Sequence, residues 1–96
     1  MWEQLSEHYK DYPPALVFEL LNEPGNASAI SGGGPDVFTP AKILEIQEEA
    51  IKIIRRTNPT RLIVHATSWN DGAAQLMSTE PLLPDDENII MSIHTY

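Results

Sequence analysis

Apolar residues recur along the chain with two different periods. Trp2, Leu5 and Tyr9 stand three and four apart with Glu3, Glu7 and Lys10 between them, which predicts a short amphipathic helix over residues 2–10. Asp11 to Pro14 stop it, since proline cannot continue a helix. Residues 15–21, Ala-Leu-Val-Phe-Glu-Leu-Leu, then form a nearly unbroken apolar run with one acid inside. Such a run suits a strand covered on both faces, as in a parallel sheet. Residues 25–38, with Gly32-Gly33-Gly34 and Pro35, have no apolar period and read as a long loop.

Thr39 and Pro40 then fit the N-cap and first position of a longer helix. Ile43, Ile46, Ala50, Ile53 and Ile54 form its predicted apolar stripe, with Glu45, Glu48, Glu49 and Lys52 off it. Glu48 and Lys52 have the favourable four-residue spacing, and Arg55 and Arg56 suit the negative end of the helix dipole. Asn58-Pro59 ends this helix. Residues 61–67 are a second strand, stopped by Trp69-Asn70-Asp71-Gly72; a short helix over 73–77 follows, then a Pro81, Pro84 and Asp85-Asp86-Glu87 connection. Residues 88–94 are a third strand. Strands alternating with helices predict right-handed βαβ units and a parallel sheet. Three parallel strands leave open edges and two faces to cover, so the expectation is an excerpt from a larger α/β protein.

Charge and composition narrow the chemistry. Fourteen acids against six bases give a net charge of −8 over 96 residues. A nucleic acid or an anionic membrane needs clustered Lys and Arg, so neither is the expected partner. The absence of cysteine removes disulfides, thiolate zinc sites and cysteine nucleophiles together. No His/Asp/Glu grouping has metal-ligand spacing, and no Gly-x-Ser-x-Gly is present. Gly32–Gly34 lack the Lys-Ser/Thr of a phosphate loop. Asn26-Ala27-Ser28 has the form of a glycosylation acceptor, with no other support for that use. The start, Met-Trp-Glu-Gln, lacks the features of a signal peptide, and no apolar run is long enough to span a bilayer.

Polar and aromatic groups gather where each predicted strand ends: Asn22-Glu23, then Trp69-Asn70-Asp71, then His94 and Tyr96. In parallel α/β folds the carboxyl ends of the strands form the ligand-binding rim. The alternative is that these groups only cap strands and satisfy loop backbone. Glu19, inside an apolar run, is costly unless paired, and a structural ion pair outside this stretch is its expected role. His65 reads as a satisfied core histidine and His8 as a surface one.

The segment Phe18-Glu19-Leu20-Leu21-Asn22-Glu23-Pro24 resembles the Asn-Glu-Pro signature of the family 5 glycoside hydrolases, cellulase-like (β/α)8 barrels of a retaining clan. The likeness extends through Ile53 to Pro59, Trp69, and Ser92-Ile93-His94-Thr95-Tyr96, covering the chain except the Gly-rich loop. It implies an α/β fold, a partial TIM barrel holding strands four to six with their helices, and one incomplete catalytic domain over residues 1–96. It further implies Glu23 as general acid/base and Asn22 near the sugar 2-hydroxyl. His94 and Tyr96 would line the −1 sugar site, and Trp69 would be a stacking platform.

A retaining hydrolase needs two carboxyl groups about 5–5.5 Å apart. Glu19 cannot partner Glu23, because four extended residues separate them by about 13 Å. Asp71 and residues 85–87 sit in loops, and the family's nucleophile is a Glu at the end of strand seven. The resemblance therefore implies hydrolysis of a β-linked polysaccharide or oligosaccharide such as cellulose, with no cofactor and no metal. It also implies that the remainder of the barrel is the structural partner, that the parent is secreted, and that residues 1–96 alone are inactive. Two alternatives stay open: a non-catalytic carbohydrate-binding remnant, and a small acidic α/β interaction module using residues 41–56.

Overall fold

The computed structural model describes residues 1–22, 24, 40–66 and 82–93. They form α1 (Trp2–His8), β1 (Phe18–Glu19), α2 (Pro40–Arg55), β2 (Ile63–Ala66) and β3 (Ile89–Ser92). The strands make one parallel sheet in the order β1-β2-β3, with Phe18 opposite Ile63 and Ile63 opposite Ile89. This is the predicted alternation, with each strand shorter than its apolar run. The Thr39 cap, the Gly-rich loop and its Asn26 acceptor, and the helix at 73–77 lie outside the described residues. Among those described, no helix is long and apolar enough to cross a membrane.

Both helices cover one face of the sheet. Phe18, Leu20 and Ile63 point to that face and pack with Ala50, Ile51 and Ile54 of α2, while Trp2 of α1 meets the Phe18 ring at 5.6 Å. Ile51, Ile54 and Ile63 are fully buried; each contributes about 1.5–3 kcal/mol by leaving water. The opposite face carries Glu19, Val64 and Ile90 in register. No described element covers it, so Ile90 is 47% exposed and Glu19 is exposed without an ion pair among the described residues.

The α2 stripe differs from its prediction. Ile43, Gln47, Ala50, Ile51 and Ile54 are buried, whereas Ile46 is 40% exposed and Ile53 half-buried. The reason is Gln47, whose amide bonds to β2 and turns the helix around it, so that Ile46 and Ile53 face Met1 and Trp2 of α1 instead. In α1 Leu5 is similarly exposed and Ser6 buried, because Asn58 Nδ2 donates to the Ser6 carbonyl at 2.8 Å. The expected Glu48–Lys52 pair forms at 2.8 Å, though exposed pairs of this kind add little stability.

Two arginines hold the amino-terminal ends of the strands. Arg61, 7% exposed, donates to the carbonyls of Tyr9, Lys10, Tyr12, Pro13 and Leu16 and to Asn58 Oδ1, tying the α1–β1 connection to the start of β2. Its guanidinium also lies 5.4 Å from the Phe18 ring centroid. Arg55 binds Asp86 through Nε at 2.6 Å and Nη2 at 3.1 Å, and reaches the carbonyls of Asn58, Arg61 and Asn88. It is thus a bridge from α2 to β2 and β3 rather than a dipole-capping charge. Asp86 also accepts from Asn88 N–H, and its own N–H closes a turn onto Leu83, which takes the left-handed conformation at φ 52°.

His65, buried on the helix-covered face, has no partner for Nδ1 among the described residues. Burial lowers its pKa, against a weaker opposing hydrogen bond with the Ala66 backbone. The Arg55 hydrogen bond holds the Asp86 carboxyl below its ordinary pKa, with burial opposing.

Three stability outcomes follow. Arg61→Met removes a donor from five backbone carbonyls, of which only Tyr9 and Pro13 keep a turn bond, and should cost about 3–5 kcal/mol, read from urea unfolding midpoints. His65 takes up its proton near pH 6.5 when unfolded but at lower pH when folded. Stability therefore declines as pH falls below about 6.5, and His65→Leu should flatten that decline. Asp86 stabilises above its unfolded pKa and loses this as pH falls through the lower folded value. Asp86→Asn should thus remove the part of the acid transition lying below about pH 4.

Candidate active site

Parallel strands place all their carboxyl ends on one rim, here Leu20–Asn22 after β1, Ala66 closing β2 and Ser92–Ile93 closing β3. Asn22 is exposed on that rim and Pro24 half-buried beside it. Of the five site residues expected from the sequence, Asn22 is described. Glu23, Trp69, His94 and Tyr96 lie outside the described residues, as does Asp71. In sequence, Glu23 directly follows Asn22, Trp69 comes three residues after Ala66, and His94 two after Ser92.

The acidic group at residues 85–87 sits on the other rim. Asp86 is held rigidly by Arg55, contrary to the loose loop expected of it, but at the amino-terminal end of β3. A hollow of about 530 Å³ between Pro59 and residues 83–88 lies on that same rim. The reinforced rim is a place of structural bonding, and chemistry in parallel barrels belongs to the opposite one. Among the described residues no group of three or more His, Asp or Glu could hold a metal ion.

The two strand junctions differ at the carboxyl rim. β2 stays paired with β3 as far as Ala66 opposite Ser92, whereas its pairing with β1 stops at Glu19 opposite Val64 and one last bond, Leu20 N–H to Val64 O at 3.0 Å. Beyond that point Ala66 bonds to a side chain of α2. Gln47 Oε1 accepts from Ala66 N–H at 2.8 Å, and Gln47 Nε2 donates to Ala66 O at 2.8 Å and to Ile43 O at 3.3 Å. Gln47 has no exposed surface. Sequence reasoning passed over it because an isolated glutamine between Ile46 and Glu48 looks like a solvated position. The one available signal was its offset of four from both Ile43 and Ile51.

Comparison with known proteins adds to this geometry. A family model described as cellulase (glycosyl hydrolase family 5) matches residues 1–96. Endoglucanase H of Acetivibrio thermocellus is 32% identical over 97 residues, covering all of this chain and 9% of that protein. Endoglucanase A of Clostridium longisporum is 33% identical over 102 residues, covering all of this chain and 19% of its own length. Among solved structures, endoglucanase Cel5A from the hyperthermophilic Thermotoga maritima superposes with a TM-score of 0.77 at 35% identity, over 99% of this chain and 27% of that one. The same enzyme has been solved in complex with cellobiose and with mannotriose. The chain thus spans about a quarter or less of these relatives.

Proposed function

The chain belongs to glycosyl hydrolase family 5, its three strands being part of a (β/α)8 barrel, and from that premise we propose that it supplies the acid/base half of a retaining endoglucanase site. What carries the reading is the family match across a chain in which Asn22-Glu23-Pro24 begins three residues after the carboxyl end of β1, a parallel strand. The uncovered face with Glu19, Val64 and Ile90 is then the wall of the barrel interior, and Glu19 finds its partner there.

Glu23, protonated, gives its proton to the leaving glycosidic oxygen as a second carboxylate attacks the anomeric carbon. In the second step Glu23, now ionised, takes a proton from water, which displaces the enzyme carboxylate and restores the original anomeric configuration. A negatively charged neighbour raises the Glu23 pKa so that it holds its proton at working pH. Asn22 binds near the sugar 2-hydroxyl, His94 and Tyr96 line the −1 site, and Trp69 stacks on a sugar ring. The double displacement draws on carboxylates alone and requires no cofactor or metal. The nucleophile is a Glu on another strand of the barrel: among described residues, the acids at 85–87 stand on the wrong rim and Glu19 is too far along its strand.

The substrate class is a β-1,4-linked glucan, with mannan as the nearest competitor because the Thermotoga maritima relative has been solved with both sugar types. A polymer of this kind lies outside the cell, so the parent enzyme is exported. The family match leaves no ground for a small acidic interaction module. A carbohydrate-binding remnant differs from the enzyme only in lacking turnover.

In the full-length polypeptide, Glu23→Ala should lower cellodextrin hydrolysis by about 10²–10⁴-fold. On a dinitrophenyl β-cellobioside, whose leaving group needs no proton, kcat/KM should be largely kept while kcat falls because water has lost its general base, and added azide should restore kcat by trapping the glycosyl-enzyme as the β-azide. Unchanged cellodextrin turnover in Glu23→Ala would remove Glu23 from the role. A polypeptide of residues 1–96 alone should show no turnover of either substrate.

A further inference from the structure

In a regular parallel ladder the bond from Leu20 N–H to Val64 O is followed by one from Ala66 N–H to Leu20 O, then one from Asn22 N–H to Ala66 O. Neither of these two bonds forms. Ala66 N–H goes to Gln47 Oε1 and Ala66 O to Gln47 Nε2, both at 2.8 Å. A carboxamide presents an acceptor and a donor side by side, as a peptide group does. It can therefore fill both ladder places that β1 gives up.

We infer that Gln47 is a positioning residue for the reaction: its buried amide stands in for β1 at Ala66 and so releases Asn22 from the sheet at the step where the catalytic segment begins. This rests on the reading of Glu23 as acid/base. Among the described residues β2 keeps its pairing with β3 as far as Ala66 opposite Ser92, so the opening lies between β1 and β2. Three features make the substitution firm. Gln47 is fully buried, its Nε2 is also held by Ile43 O in its own helix, and α2 is packed beneath through Ile51 and Ile54. Without Gln47 the Ala66 N–H and C=O would be unpaired in a dry layer, and the available partners are Leu20 O and Asn22 N–H. Closing the ladder would draw Asn22 toward β2 and change the path by which the chain enters Glu23. The effect on chemistry passes through proton donation and does not require contact between Gln47 and the sugar.

The test uses the full-length enzyme and compares cellodextrin with dinitrophenyl β-cellobioside. Gln47→Met removes both bonds at nearly constant volume. The expected result is a loss of about tenfold or more in kcat/KM on cellodextrin, where proton donation limits glycosylation, with a much smaller loss in kcat/KM on the activated glycoside, whose glycosylation needs no proton. A structural role alone would reduce both rates together by lowering the folded fraction. If Gln47→Met does not fold, Gln47→Asn shortens the reach by one methylene while keeping the polarity, and should show the same selective loss in weaker form. Equal losses on both substrates, or wild-type rates on both, in a folded variant overturn the proposal. Glu23→Ala is run in parallel. If it lacks the leaving-group dependence, the Glu23 reading itself fails, whatever the Gln47 variants do.

Discussion

Arg61 is the interaction on which the rest of this structure depends. Nearly removed from water, it has no carboxylate partner among the described residues; its donors instead converge on five backbone carbonyls from residues 9–16 and on the Asn58 side chain. Those carbonyls belong to a segment with two prolines and two hydrogen-bonded turns, which has no ladder or helix of its own and satisfies only the Tyr9 and Pro13 carbonyls internally. Without a fixed connection there, α1 has no defined path into β1, and β1 has only two residues of regular pairing to hold its register. A lysine cannot replace this fan, since one ammonium offers three donors from a point where a guanidinium offers five in a plane.

Arg55 repeats the device one strand further on, and the two together lock the amino-terminal rim of all three strands. Rigidity is thereby concentrated at the end of the sheet opposite the candidate active site. This division agrees with the barrel architecture, in which loops on the carboxyl rim carry chemistry while the other rim holds the fold. At the carboxyl rim the restraint has a different character. Gln47 fixes the end of β2 while letting β1 depart, so one strand tip is immobilised and its neighbour is freed to turn.

The alternation of elements and the parallel sheet were legible in the sequence, because apolar runs at 15–21, 61–67 and 88–94 can hardly be anything but covered strands. The Asn22-Glu23-Pro24 segment stood out through its resemblance to the family signature, at the end of such a run. The Glu48–Lys52 pair was legible as well, since local spacing alone determines it. The buried face of α2 was not. An apolar count favours Ile46 and Ile53, but a glutamine that bonds the backbone across 19 residues outweighs them, and no local pattern encodes a partner so distant in sequence. Arg61 was hidden for a related reason, since five of its acceptors are carbonyls, which no sequence letter marks, and Arg55 because its carboxylate partner, Asp86, lies 31 residues away.

Gln47, Asn58 and Arg61, three buried polar side chains of the described chain, share one property: their long-range bonds are to main-chain atoms. A side chain that bonds to backbone fixes where a strand runs without specifying what that strand carries. An inner-face position such as Val64 is therefore placed without contributing a side-chain bond of its own, because the bonds that place it come from the backbone, α2 and the turns behind. Side chain-to-side chain networks would have tied the strand residues to their supports and constrained both. Backbone-directed support separates the frame from the chemistry. Within that frame the ladder bonding between β1 and β2 stops, among the described residues, at Leu20, two residues before Asn22 and three before Glu23, the proposed proton donor.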